Sequence, residues 1–84
     1  MDKQFLNYRV KIFTKDKTFL EGTLIMVDNE CNAMIDDCEE FKDTKTPLQS
    51  PRQYLGLVVI PGKNIKYTEY LYKVPKINKF NHLN

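Results

Sequence analysis

Apolar and polar residues alternate with a period of two along most of this chain, in short runs closed by turn formers. Tyr8, Val10 and Ile12 alternate with Arg9 and Lys11, which predicts a half-buried strand. After the polar turn Thr14-Lys15-Asp16-Lys17, a longer strand is expected from Thr18 to about Val27. Gly22 interrupts it, and a glycine inside a strand marks a bend or a close backbone approach. Strict alternation puts Leu20, Leu24 and Met26 on one face with Gly22, and Phe19, Ile25 and Val27 on the other. Asp28-Asn29-Glu30 reads as a tight turn, because Asp and Asn tolerate the backbone geometry it needs. A third strand follows from Cys31 to about Phe41. Tyr54 to Ile60 is nearly all apolar, the pattern of a strand covered on both faces. Pro61-Gly62-Lys63-Asn64 turns the chain, and Ile65 to Tyr72 alternates again as a fifth strand.

Residues 2 to 7 suit one helical turn, with Asp2 placed to favour its dipole and Phe5 and Leu6 packing onto the sheet. Lys42 to Arg52, with Pro47 and Pro51, is a loop, and Lys73 to Asn84 is a polar tail. The expected fold is all-β: a strongly bent five-stranded antiparallel sheet, or small open barrel, with a short N-terminal helix. One domain spans 1–72 and the tail 73–84. An open sheet leaves backbone groups unpaired at its outer strands. Tyr54 to Ile60 is apolar in both directions and is expected at such an edge, covered by another chain.

At 84 residues the chain makes one small domain that buries about two-thirds of its unfolded surface. No apolar run approaches the ~20 residues needed to span a bilayer, and the N-terminus lacks the apolar stretch of a secretory signal. No membrane association and a cytoplasmic location are the expectation. Cys31 and Cys38, on one straight strand, would stand ~20 Å apart, too far for a disulfide. Both are read as reduced thiols packed as small apolar groups. With His82 near the end of the tail, no zinc spacing exists, and no bound metal or cofactor is expected.

Net charge is +2, but its distribution is uneven. Asp28, Glu30, Asp36, Asp37, Glu39 and Glu40 fall in a stretch without Lys or Arg, which would repel phosphate. Catalysis by this chain is not expected either. Its three glycines are isolated, and Cys38 lies between Asp37 and Glu39, which disfavour a thiolate.

In order and spacing, Gly22, Asp28 and Asn32, then Leu55-Gly56-Leu57-Val58-Val59-Ile60 with Pro61-Gly62, resemble the two motifs of the Sm and Sm-like (LSm) family over roughly residues 5 to 72. The resemblance implies three side chains that hold a uridine base: a stacking ring, an Asn, and an Arg before a Gly. Here Asn32 is kept, while Glu30 stands at the ring position and Pro61 at the Arg position. Glu30 has no π face, and Pro61 has neither a cation nor a backbone donor. RNA binding at the usual Sm site is therefore not expected. The alternative role for Asn32, by its place beside a turn, is to bond local backbone, and Asp28 is read as the cap of that turn.

Within the family, Asp28-Asn29-Glu30-Cys31-Asn32, Glu39-Glu40-Phe41 and Leu55 through Gly62 resemble the branch of small auxiliary subunits of the N-terminal acetyltransferase C (NatC) complex. That resemblance implies a non-catalytic subunit held by a large scaffold subunit and lying near a catalytic acetyltransferase subunit. The complex is ribosome-associated and acetylates nascent chains beginning with Met and a bulky apolar residue. Leu55, Leu57, Val59 and Ile60, with Tyr70, Leu71 and Tyr72, are the candidate partner contacts, with ordinary core packing as the alternative for the Leu/Val set. The competing resemblance is to B-type Sm or LSm ring subunits of pre-mRNA splicing or RNA decay. They share the Leu-Gly-Leu-Val run and a segment like Asp37-Cys38-Glu39-Glu40-Phe41.

Overall fold

In the computed structural model, residues 1–42 and 51–75 are described. The expected five strands form: β1 (Tyr8–Thr14), β2 (Thr18–Val27), β3 (Ala33–Lys42), β4 (Arg52–Ile60) and β5 (Ile65–Lys73). They make one antiparallel sheet in the order β4-β3-β2-β1-β5. β4 and β5 lie at opposite edges, yet only Pro61 to Asn64 separate them in sequence. So short a connection forces the sheet to curl until its edges meet at that turn. The result is an open barrel of the kind the alternation implies.

Val10, Ile12, Leu20, Leu24, Val27, Ala33, Ile35, Cys38 and Ile60 fill the inside of the curl. Gly22 allows the curvature. A Cβ there would stand 2.7 Å from the Asp36 carbonyl oxygen and collide with the Ile35 side chain, so β2 and β3 approach only because no side chain intervenes.

Three expectations need correction. The N-terminal segment is a 3₁₀ turn, Lys3–Phe5, rather than a helix. Asp2 caps it through Gln4 N–H at 3.1 Å, and the Phe5 ring stacks on Tyr70 at 3.9 Å. The second correction concerns the end of β2, where Val27 is buried and Met26 is 54% exposed, the reverse of strict alternation. A register shift between Leu24 and Met26 adds one residue to β2 and moves everything after it to the opposite face. The third is Cys31, which lies before β3, in the turn, exposed and with φ 64°, whereas Cys38 is fully buried. The two thiols thus have different surroundings and do not share a strand.

The loop around Pro47 and the tail residues Lys76, Lys79 and His82 fall outside the described residues. Among the described residues, no helix is long and apolar enough to cross a membrane.

Candidate functional site: two stapled turns beside an apolar edge

The β2–β3 and β4–β5 turns meet at one end of the barrel. Asp28 builds the first of them. Its Oδ1 accepts from the Glu30 and Asn32 N–H groups, both at 2.9 Å, and its Oδ2 accepts from Asn32 Nδ2 at 2.8 Å. These bonds to the ionised form, led by the Asn32 side chain, hold the Asp28 carboxyl below the usual carboxylate range. Asn32, oriented in this way, presents its Oδ1 to Gly62 N–H at 2.9 Å and joins the second turn to the first. Its side chain therefore bonds the Asp28 carboxylate and the distant Gly62 N–H, and not the local backbone that its position beside a turn suggested. Gly62 must be a glycine for this contact: a Cβ would lie 2.7 Å from the Glu30 carbonyl oxygen and 2.8 Å from that of Cys31.

The side chains displayed around this frame are those read from the sequence. Glu30 and Pro61 are exposed beside it, as is Lys63 in the 3₁₀ turn Gly62–Asn64. Pro61 caps that turn with φ −60° and contributes its carbonyl to Asn64 N–H at 3.0 Å. The frame is intact, but none of these three residues carries an aromatic ring, and the one cation is a lysine, a flexible point charge unable to stack as a guanidinium does.

The candidate partner contacts divide into two groups. Leu57 and Val59 on β4 are 59% and 60% exposed, and Leu71 and Tyr72 on β5 are also exposed. Leu55, at 37%, borders a groove of about 490 Å³ with Leu20, Val58, Ile60 and Pro61. Ile60 itself is in the core, and Tyr70 is half-buried and packed against it. The edge strand is therefore apolar on a surface that the isolated chain leaves open. Tyr54 shares this character, and so does Met26, which strict alternation groups with Leu20 and Leu24.

The acidic stretch on β3 is partly neutralised. Arg9 of β1 pairs with Asp37 at 3.1 Å and Glu21 at 4.0 Å, and Arg52 pairs with Glu39 at 3.3 Å. Burial, followed by the carboxylates of Glu40, Asp37 and Glu39 and opposed by Arg9, pushes the Cys38 thiol up to about 11. Among the described residues, no group of three or more His, Cys, Asp or Glu side chains is arranged to hold a metal ion.

Comparison with known proteins gives a consistent fold. Residues 2–69 match the LSM domain. The small nuclear ribonucleoprotein-associated protein B of Dictyostelium discoideum is 28% identical over 65 residues, which cover 74% of this chain but 24% of that protein. A chain in the crystal structure of the NatC complex bound to Gag peptide and CoA superposes with a TM-score of 0.64 at 25% identity, covering 77% of this chain and 83% of that one. A chain of the NatC complex bound to CoA gives 0.69 at 23% identity, covering 83% and 88%. The Pyrococcus abyssii Sm protein in complex with a uridine heptamer gives 0.67 at 24% identity, covering 81% and 89%.

Proposed function

This chain belongs to the LSM-domain family, and on that premise we propose that it is a non-catalytic auxiliary subunit of a NatC-type N-terminal acetyltransferase complex. Its partners in this reading are a large scaffold subunit and a catalytic acetyltransferase subunit, and acetyl-CoA chemistry belongs to the latter. The observation that carries the reading is the contrast at the end of the barrel. The Asp28–Asn32–Gly62 frame is kept, but the groups displayed on it, Glu30 and Pro61, suit neither base stacking nor phosphate attraction. Beside it, β4 offers exposed Leu57 and Val59 along a free edge, which suits a protein partner that adds a strand and packs behind it. The likeness to chains of two NatC complexes accords with this reading, and the likeness to an Sm protein in complex with a uridine heptamer accords with the second one below. Chemistry takes place elsewhere in the complex, and this subunit contributes by holding its neighbours in place in the cytoplasm, where nascent chains emerge.

A second reading, a divergent B-type Sm or LSm ring subunit in splicing or RNA decay, is favoured by the intact Asn32 frame and by the ribonucleoprotein relative. Quantifying N-terminal acetylation across the proteome of cells lacking the chain separates the two. The acetyltransferase reading requires acetylation to fall on proteins beginning Met-Leu, Met-Ile or Met-Phe and to persist on other classes. Unchanged acetylation together with retained introns would favour the ring.

A further inference from the structure

The outer face of the sheet, away from the core, is covered at one end and bare at the other. Toward the β1–β2 turn the rings of Phe13, Phe19 and Phe41 stand side by side across three strands, with centroids 4.7 and 5.3 Å apart. Cations roof them. Lys66 Nζ lies 5.4 Å from the Phe13 centroid, Lys11 Nζ 4.9 Å from Phe19, and the Arg52 guanidinium 4.4 Å from Phe41. The stems of these side chains shield the rings while their charges stay in water, and Phe13 and Phe41 are only 8% exposed.

Toward the β2–β3 turn the same face carries Ile25, Met26, Met34, Leu57 and Val59. The register sets Met26 opposite Met34 and Met34 opposite Val59, with Leu57 two residues further along β4. Met26, Leu57 and Val59 are each more than half exposed. The register shift between Leu24 and Met26 turns Ile25 and Met26 outward in succession, so the bulge enlarges the patch. A contiguous apolar patch of this kind on a small domain marks an interaction surface.

Carboxylates flank it at both ends. Asp28 and Glu30 are exposed in the adjoining turn, and Asp36 and Asp37 are exposed in the irregular stretch of β3. Arg9 pairs with Asp37 from β1, which lies across β2 from the strands that carry most of the patch. A sheet face has its backbone groups already paired, so an occupant can only pack side chains there, and strand addition is confined to the free edge of β4. A second copy seated patch to patch would bring these carboxylates against their own images. We propose that Ile25, Met26, Met34, Leu57 and Val59 form a docking face for an amphipathic helix of a partner protein, with Lys or Arg beside its apolar stripe. Methionine suits this role because its unbranched chain adapts to a helix surface. The inference shares with the proposed function the need for a protein partner, but not that the partner belongs to an acetyltransferase.

The test uses the full chain and two fluorescein-labelled helical peptides of about five turns. The peptides carry the same leucine stripe, flanked by Lys in one and by Glu in the other. The Leu/Lys peptide is expected to bind at least ~10-fold more tightly than the Leu/Glu peptide. The double variant Met26→Gln, Val59→Gln, which leaves the charge unchanged, is expected to weaken it ~10-fold or more. Both positions are exposed, and an unaltered denaturation midpoint establishes that the variant is folded. Hydrogen exchange should show no new protection of the β4 edge amides when the peptide binds. Equal binding of the two peptides, indifference to the double variant, or protection confined to the β4 edge would each overturn the proposal. So would self-association of the chain that the same double variant abolishes. The assay involves no acetyltransferase, so its failure leaves the proposed function standing, and failure of that function leaves this result unchanged.

Discussion

Asn32 and Gly62, 30 residues apart in sequence, are joined by a 2.9 Å hydrogen bond from the Gly62 N–H to the Asn32 side-chain oxygen. The bond fixes the β4–β5 turn against the β2–β3 turn, and Asp28 fixes Asn32 in turn. Whatever function this end of the barrel has, it is displayed on that frame.

Replacing Asn32 with Ala removes the acceptor for Gly62 and a donor to Asp28. Leaving a part-buried N–H unpaired costs about 1–3 kcal/mol. Urea denaturation of Asn32→Ala should show a lower midpoint with the m-value unchanged. A midpoint equal to that of the parent would mean that the two turns are held together by other contacts.

The two cysteines should behave as different chemical species. Cys31 is exposed and Cys38 buried, with its thiol pushed up to about 11 from an ordinary 9.0. At pH 8 a thiol reagent should label one equivalent of the folded protein, at Cys31, and a second only on unfolding. The sign of the pH effect follows from linkage. A thiol whose folded pKa is raised keeps its proton in the native state after the unfolded chain has lost it. Its contribution to stability is therefore full below pH 9.0 and declines as pH rises toward 11. Cys38→Ala should flatten that alkaline decline.

Pro61→Arg combined with Glu30→His places a cation and a ring on the retained frame. Stacking contributes about 1–3 kcal/mol per base, so a fluorescence titration with oligouridine should show tighter binding by about tenfold. No gain would mean that the surface around the turns excludes RNA for reasons beyond these two residues. Tight oligouridine binding by the unaltered chain would remove the main argument against the ring reading.

The strands and most turns were legible because alternation and turn residues are local signals. Tyr8 to Ile12 and the turn at Asp28 needed nothing more. The end of β2 was not legible, because Ile25-Met26-Val27 is apolar throughout and such a run carries no phase; only the bulge reveals that Met26 faces out. The Asn32–Gly62 bond was missed for a different reason: it links distant residues, and propensity reasoning finds only near partners. Of the edge-strand candidates, Ile60 was apolar for the ordinary reason of filling the core, a distinction that depends on the curl of the sheet.

Purification of the tagged full chain from its own cells, with mass spectrometry of what accompanies it, separates an acetyltransferase subunit from a ring subunit in one measurement. Two larger proteins in stoichiometric amounts, one an acetyltransferase subunit and one a scaffold, are the expected result. Recovery instead of a set of other Sm-type chains, with or without RNA, would contradict it.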